Sequence, residues 1–158
     1  MTRAYIGLGA NLGDPPAQLR TALQGIGALG RMLAVSTFYR SAPMGPAEQP
    51  DYCNAVCAID TALEAEALMD ALLAIERGMG RVRSVRWGPR LIDLDLLHVE
   101  GLHCATATLT LPHPGIARRN FVLVPLAEIA PGLHIPGVGP LDAAIARVGV
   151  QGLVPWRA

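Results

Sequence analysis

The sequence contains no lysine. All 13 basic residues of this 158-residue chain are arginine, and 13 acidic residues balance them to a formal net charge of +0. The absence of lysine excludes a P-loop lysine, a Schiff-base lysine and a lysine general base. Because the charges balance, no net field draws the chain to nucleic acid or to an anionic membrane, so electrostatic recognition must be local.

Metal-binding cysteine motifs and long apolar runs are also missing. The three cysteines, Cys53, Cys57 and Cys104, lack C-x-x-C spacing, and we interpret them as small buried apolar residues. No apolar run approaches membrane-spanning length, and the N-terminal residues do not resemble a signal peptide. The sequence therefore predicts a soluble, cytoplasmic protein, with residues 1–158 forming a single domain.

The order of predicted elements indicates an α+β fold. Strands are predicted at residues 4–8, 32–39, 52–59 and 91–99, with helices after Asp14, after a capping box at 61–64 and around 126–129. Residues 131–140, rich in glycine and proline, are expected to be irregular. Strand, helix, strand, strand, helix, strand is the order of a ferredoxin-like split β-α-β core, a mostly antiparallel sheet with helices packed against one face.

Two aspartates lie two residues apart on the last predicted strand. Because side chains alternate along a strand, Leu94 and Leu96 face a core while Asp93 and Asp95 share the opposite face, with Cα atoms about 6.6 Å apart. One or two magnesium ions can bridge such a gap. A charged face on an edge strand explains the same pattern, so spacing alone leaves both interpretations open.

An arginine-rich segment precedes this strand. Arg81, Arg83, Arg86 and Arg90 surround Trp87. Guanidinium groups bind phosphate oxygens bidentately and stay charged at physiological pH, whereas the alternative is a solvated basic loop. The tryptophan favours a ligand site, because an aromatic ring in a loop is costly to expose and can cover a flat ligand.

Other candidate residues are Tyr52, Asn54 and His113. Tyr52 and Asn54 share one face of their strand, where a flat ring could stack on the tyrosine while the amide reads its edge. Core packing and a sheet-edge hydrogen bond are the alternatives. His113, between two prolines, is either a donor to phosphate or a turn histidine satisfied by the backbone.

Taken in order along the chain, these segments resemble the 6-hydroxymethyl-7,8-dihydropterin pyrophosphokinases of folate biosynthesis. The most specific part is Arg-Trp-Gly-Pro-Arg at 86–90 followed by Asp93-Leu94-Asp95. Supporting matches are Gly-Leu-Gly-Ala-Asn-Leu-Gly at 7–13, Gln-Pro-Asp-Tyr-Cys-Asn at 49–54, Glu76, Gly-Arg-Val-Arg at 80–83, Pro-His-Pro at 112–114 and Arg-Asn-Phe at 119–121. The resemblance implies transfer of the terminal two phosphates of ATP to the pterin hydroxymethyl group, releasing AMP.

The resemblance also implies a role for each matching residue. Two magnesium ions would be held by Asp93 and Asp95, which with Arg81 and Arg90 would carry catalysis. ATP would be surrounded by Glu76, Arg83, Trp87, Arg90, Thr110, His113 and Arg119. The pterin would be bound by Ser41, Pro43, Met44, Tyr52, Asn54 and Phe121, with Tyr52 and Phe121 on either side of its ring. The expected partners are these two small molecules alone, acted on by a monomer without nucleic acid or membrane.

The sequence departs from the family pattern at four positions. Leu91 and Ser41 stand where threonine is common, Thr108 where some relatives have an ATP-contacting arginine, and Pro114 where some have tyrosine. Two other functions remain open from the residues alone. One is an RNA-binding domain of the same topology, although we find no RNP motif, and the other is a two-metal phosphatase or nuclease using Asp93 and Asp95.

Overall fold

The computed structural model describes residues 1–42, 49–80 and 91–157. The strands are β1 (Thr2–Ala10), β2 (Arg31–Val35), β3 (Tyr39–Ser41), β4 (Tyr52–Thr61), β5 (Asp93–Val99), β6 (Cys104–Ala105), β7 (Thr110–Leu111), β8 (His134–Ile135), β9 (Gly139–Pro140) and β10 (Val154–Pro155). The helices are α1 (Pro15–Gly27), α2 (Ala65–Gly78), α3 (Asn120–Ile129) and α4 (Leu141–Val148), and Ile116–Arg118 is a short 3-10 helix.

The main sheet has the topology that the sequence predicts. Its strand order is β10-β3-β4-β1-β5, with β2 also paired to β4, and every pairing is antiparallel. Helix α1 connects β1 to β2, and α2 connects β4 to β5. Each connection therefore skips one intervening strand, which confirms the split β-α-β arrangement and the α+β class.

Helices α1 and α2 cover the first face of the sheet. Helix α1 buries Leu19 and Ile26, and α2 buries Leu68 and Leu72, against apolar side chains such as Ile6 of β1. These side chains recur at the spacing of one face of a helix. Each fully buried leucine or isoleucine contributes about 1.5–3 kcal/mol relative to exposure, so this core holds the two helices in place.

The expectation that helices occupy only one face is wrong. A second core lies on the opposite face, where Tyr5, Val56 and Leu97 of the sheet pack against α3 and α4 through residues such as Leu123 and Leu141. Helix α3 runs from Asn120, six residues earlier than predicted, with Pro125 inside it. Proline in a helix interior removes a hydrogen bond, so local propensity argued against this helix, and burial overrides it.

Two predicted boundaries also differ. Thr61 does not cap α2, because its hydroxyl donates to the carbonyl oxygen of Leu29 (2.8 Å) and accepts from the amide of Leu63 (3.1 Å) while the residue remains in β4. The predicted strand at 32–39 is divided into β2 and β3. At the division, the Ser36 hydroxyl accepts a hydrogen bond from the amide of Val56 (3.0 Å), replacing a backbone partner. The predicted N-cap Asp14 is confirmed by a 3.2 Å hydrogen bond from Ala17 N.

The C-terminal region is more ordered than predicted. Helix α4 and strand β10 follow the glycine- and proline-rich stretch, and β10 pairs with the outer edge of β3. Trp156 N donates to the carbonyl oxygen of Phe38 (2.8 Å), and the Arg40 guanidinium lies 3.9 Å from the centre of a Trp156 ring. The C-terminal residues therefore stabilise the strand that ends at Ser41.

Cys53 and Cys57 are buried, as predicted, and burial raises the pKa of each thiol to about 12. Cys104 is partly buried. Across residues 1–42, 49–80 and 91–157, none of the helices combines the length and apolar character needed to cross a membrane.

Candidate active site

The strand register brings five predicted site residues to one face of the sheet. Asn54 on β4 lies opposite Gly9 on β1, and Gly9 lies opposite Asp93 on β5. The same pairings place Ser41 opposite Tyr52, and Gly7 opposite Asp95. Because directly opposed residues in paired strands project to the same side, these side chains share the face that carries the second core.

Gly9 occupies the middle of this arrangement. A Cβ at Gly9 would lie 3.1 Å from Asn54 Nδ2 and 3.7 Å from Tyr52 Cδ1. The first separation is tighter than an ordinary van der Waals contact, so the Asn54 amide lies over β1 only because position 9 has no side chain. The strand predicted at residues 4–8 ends before Gly9, but β1 continues to Ala10, so Gly9 lies within the strand. Two glycines at strand spacing, Gly7 and Gly9, were the signal for this close approach.

The Asn54 amide is oriented by Ser41. The Ser41 hydroxyl donates to Asn54 Oδ1 at 2.5 Å, and both side chains are buried. With Oδ1 held by β3, the Nδ2 donor group lies toward Gly9. The pair can therefore present hydrogen-bond donors of fixed direction beside Tyr52, which is half-buried.

Asp93 and Asp95 are partly exposed on the neighbouring strand, with the Asp95 side chain 41% exposed. Two carboxylates on one face suit Mg²⁺, which prefers oxygen ligands and commonly uses one or two carboxylates together with waters and phosphate oxygens. Among the residues that the structure describes, no group of three histidine, cysteine, aspartate or glutamate side chains could hold a metal by itself. The donor set therefore fits a magnesium ion shared with a phosphate ligand rather than a closed protein site.

His113 is held with one ring nitrogen toward this carboxylate pair. Its backbone amide donates to the carbonyl oxygen of Leu97 (2.8 Å), and its Nδ1 accepts from the amide of Gly115 (3.0 Å). Burial lowers the pKa of His113, the Arg119 charge lowers it further, and Asp95 opposes both. The ring is therefore neutral at pH 7 with its proton on Nε2, which lies 4.0 Å from Asp95 Oδ1.

Arg119 and Phe121 lie beside His113 at the start of α3. A Cβ at Gly115 would lie 2.9 Å from Arg119 Cζ and 3.2 Å from His113 Cε1, so both side chains pack over this glycine. The Arg119 guanidinium lies 5.9 Å from the centre of the Phe121 ring, which packs against the second core. A cation, a neutral histidine and an aromatic ring thus form one cluster next to Asp95.

Glu76 and Thr110 occupy different surroundings. Glu76 is 4% exposed, and its Oε2 accepts from the amide of Leu94 (2.7 Å), between the two aspartates. This contact fixes α2 to the strand that carries Asp93 and Asp95. Thr110 is exposed on β7, paired with Ala105. The predicted ATP contacts of both residues stay predictions.

The remaining predicted site residues lie outside the described residues. They are Pro43, Met44, Arg81, Arg83, Trp87 and Arg90.

Comparison with known proteins identifies relatives along nearly the whole chain. The family model described as 7,8-dihydro-6-hydroxymethylpterin-pyrophosphokinase matches residues 5–131. The chain is 46% identical over 155 residues to the 2-amino-4-hydroxy-6-hydroxymethyldihydropteridine pyrophosphokinase of Methylorubrum extorquens, covering 97% of this chain and 98% of that one. It is 43% identical over 153 residues to the protein of the same name from Pseudomonas aeruginosa, covering 96% and 94%.

A solved structure shows the same fold at much lower identity. The crystal structure of Plasmodium falciparum HPPK-DHPS with pteroate matches with a TM-score of 0.73 at 11% identity, over 92% of this chain and 42% of that chain. This chain thus spans less than half the length of that protein, and the likeness concerns the fold. On the family model and the sequence relatives, the chain belongs to the 7,8-dihydro-6-hydroxymethylpterin-pyrophosphokinase family and is a diphosphate-transferring enzyme of folate biosynthesis.

Proposed function

We propose that the enzyme transfers the β- and γ-phosphates of ATP as one unit to the hydroxymethyl group of 6-hydroxymethyl-7,8-dihydropterin. The hydroxyl oxygen bonds to the β-phosphorus, the bond from that phosphorus to the oxygen bridging to the α-phosphate breaks, and AMP leaves with the bridging oxygen. The hydroxyl proton is released. The observation that carries the proposal is the register that aligns Asn54, Gly9 and Asp93 across three neighbouring strands.

The pterin occupies the β3–β4 side of this face. Its ring lies between Tyr52 of β4 and Phe121 of α3, and aromatic stacking of this kind contributes about 0.5–1.5 kcal/mol beyond the buried area. The Asn54 amide, oriented by Ser41, reads the edge of the ring. Pro43 and Met44 complete this side in the family-based prediction.

ATP occupies the β5 side. Asp93 and Asp95 would hold two magnesium ions, which would neutralise phosphate charge and polarise the phosphorus under attack. Neutral His113 donates from Nε2 and Arg119 supplies a permanent charge, so both suit phosphate oxygens. Arg81, Arg83, Trp87 and Arg90 are predicted to close over the phosphates and the base, and Glu76 and Thr110 to border the nucleotide.

This arrangement needs positioning and charge neutralisation rather than a covalent intermediate. Holding two bound reactants in line supplies much of the rate of a phosphoryl transfer. The chain therefore requires neither a nucleophilic side chain nor a lysine, in agreement with its composition. We further propose that residues 1–158 act as a single domain, as a cytoplasmic monomer.

The competing RNA-binding function is disfavoured by the second core. RNA-binding domains of this topology stack bases on an open sheet face. Here α3 and α4 pack against Tyr5 and Leu97 and so cover part of that face.

Product analysis tests the proposal. The protein is incubated with ATP, Mg²⁺ and the dihydropterin, and the products are identified by mass spectrometry. We expect AMP and a pterin heavier by two phosphates. Formation of ADP, or loss of ATP at the same rate without the pterin, contradicts pyrophosphoryl transfer and favours a phosphatase or an ordinary kinase.

A further inference from the structure

Glu128, near the end of α3, accepts three hydrogen bonds from the β2–β3 region. The Tyr39 hydroxyl donates to Oε1 at 2.6 Å. The Thr37 amide and hydroxyl both donate to Oε2, at 2.8 and 2.9 Å. One carboxylate therefore joins α3 to β3 and to the β2–β3 connection at three points.

The helix and the strand joined by Glu128 carry opposite sides of the proposed pterin site. Phe121 lies seven residues before Glu128, which is close to two helical turns, so the two side chains project from the same face of α3. On the sheet, Tyr39 lies directly opposite Asn54, and β3 ends at Ser41, the hydroxyl that orients the Asn54 amide. The spacing between Phe121 and Asn54 thus depends on how α3 is fixed to β3.

The charge states of these groups suit a firm connection. Desolvation alone would raise the pKa of Glu128, but the hydrogen bonds from Tyr39 and Thr37 together lower it, so the carboxylate is ionised at pH 7. Desolvation and the neighbouring carboxylate raise the pKa of Tyr39 to about 12, so the phenol keeps its proton. Hydrogen bonds to an ionised acceptor are roughly twice as strong as neutral ones.

We propose that Glu128 and Tyr39 are positioning residues that set the width of the pterin site, by fixing α3, with Phe121, to the strand that leads to Ser41. This inference rests on the proposed function for the place of the pterin. The magnesium side is separate, because Asp93 and Asp95 lie on β5, three strands from β3 and so about 14 Å across the sheet. Arg119, a proposed ATP contact, lies at the start of α3, but it also packs with His113 over Gly115. Loosening the connection therefore affects the pterin, on which Phe121 stacks directly, more than ATP.

The chain offers a matched control. The Tyr5 hydroxyl donates to Glu100 Oε1 at 3.1 Å, which is the same tyrosine–carboxylate chemistry. Tyr5 is on β1, four residues and so about 13 Å from Gly9. Tyr39→Phe and Tyr5→Phe each remove one hydroxyl from the second face of the sheet, but only the first lies beside Asn54.

The experiment measures KM for each substrate, kcat and the melting temperature of the wild type, Tyr39→Phe, Glu128→Gln and Tyr5→Phe. We expect Tyr39→Phe and Glu128→Gln to raise the KM for the pterin about tenfold, to leave the KM for ATP within about twofold, and to change kcat little. Tyr5→Phe is expected to lower the melting temperature while both KM values remain at the wild-type level. Glu128→Gln keeps the shape of the side chain, so it serves if Tyr39→Phe does not fold.

Three results would overturn the positioning role while leaving the reaction intact. They are a parallel change in the two KM values, unchanged KM values in both Tyr39→Phe and Glu128→Gln, and the same rise in the KM for the pterin in Tyr5→Phe. Failure of the wild type to convert the pterin would overturn the proposed function and this inference together. The wild-type assay therefore separates the two failures.

Discussion

In the candidate site, a side chain is held through one of its polar atoms, and its second polar atom stays available to a ligand. Ser41 binds Asn54 Oδ1 and leaves Nδ2 over Gly9, and the Gly115 amide binds His113 Nδ1 so that Nε2 lies toward Asp95. In both cases a contact within the protein sets the direction of a donor. Such fixed donors need no reorganisation when a ligand arrives.

The close approach at position 9 gives the first prediction. Gly9→Ala places a Cβ 3.1 Å from Asn54 Nδ2, so the amide must shift from the position in which we propose that it reads the edge of the pterin. We expect the KM for the pterin to rise about tenfold, equivalent to about 1.4 kcal/mol, with little change in the KM for ATP. Gly27→Ala in α1, where a Cβ meets nothing within 4 Å, is the control and should leave both KM values unchanged. An equal effect of the two substitutions would refute the role of Gly9.

The carboxylate pair gives the second prediction. If Asp95 is a magnesium ligand, as proposed, Asp95→Asn leaves the phosphate charge poorly neutralised, and kcat should fall by about 100-fold or more. The melting temperature should change little, because asparagine keeps the shape of the aspartate side chain and can still accept a hydrogen bond. Asp70→Asn on the exposed side of α2 is the matched control for kcat. A stable Asp95→Asn variant with near-normal turnover would show that the pair is only a charged strand edge.

At the level of elements, α3 has a structural and a functional task. Its buried residues close the second core, and Glu128 near its end binds Tyr39 of β3. Phe121 at its start is the proposed stacking partner of the pterin. The two cores share the same strands, with Ile6 facing one and Tyr5 the other. Loss of packing in either core should therefore destabilise the whole sheet.

Leucine truncations test this coupling. Leu72 of α2 and Leu123 of α3 are both 0% exposed. Replacing either by alanine should lower the free energy of unfolding by about 2–5 kcal/mol, from lost transfer energy and a residual cavity. Leu63, which is 37% exposed, is the control and should change it by no more than about 0.5 kcal/mol. Urea unfolding followed by circular dichroism should show one cooperative transition in each variant, and two separate transitions would contradict the single domain.

The sequence predicted those elements whose signals are local. The alternation around Asp93 and Asp95 and the spacing of Leu68 and Leu72 are fixed by backbone geometry, so both were recognisable without a partner. Strand β10 exists through its pairing with β3, and α3 contains a proline that burial tolerates. The local sequence does not predict either element, because both depend on tertiary contacts.

The sequence names the candidate site residues but does not show how they are arranged. The family resemblance named Ser41, Asn54, Asp93 and His113, yet no spacing along the chain shows that Asn54 and Asp93 lie on either side of Gly9. That relation follows from strand register. Tyr39 and Glu128 were not singled out because neither carries a motif, and their contact joins residues 89 positions apart.

For the whole molecule, a buried histidine links stability to pH. His98 is 4% exposed and stacks on Tyr5, and within the described part of the chain its Nδ1 has no hydrogen-bond partner. Burial lowers the pKa of His98 below the usual 6.5, with Glu100 opposing the shift. As the pH falls below about 6.5, the unfolded chain takes up a proton that the folded chain resists, so folding is destabilised.

The corresponding prediction compares the wild type with His98→Phe. Between pH 7.5 and 5.5 the wild type should lose more unfolding free energy than the variant, by at most about 1.4 kcal/mol per pH unit for one proton. Phenylalanine keeps the stacking on Tyr5 and cannot titrate, so the difference isolates the imidazole. Urea titrations at each pH provide the values, and identical losses in the two proteins would refute the contribution of His98.

We propose above that the residues on one face of the sheet bind both substrates and that the β- and γ-phosphates are transferred as one unit. The most direct measurement supplies ATP labelled with ¹⁸O at the nonbridging oxygens of both the β- and γ-phosphates and follows both labels in the products by mass spectrometry. We expect both labels in the pterin product and unlabelled AMP in equal amount, and we expect Asp95→Asn to form neither product. Label retained in ADP, or a product that carries only the γ-phosphate label, would contradict it.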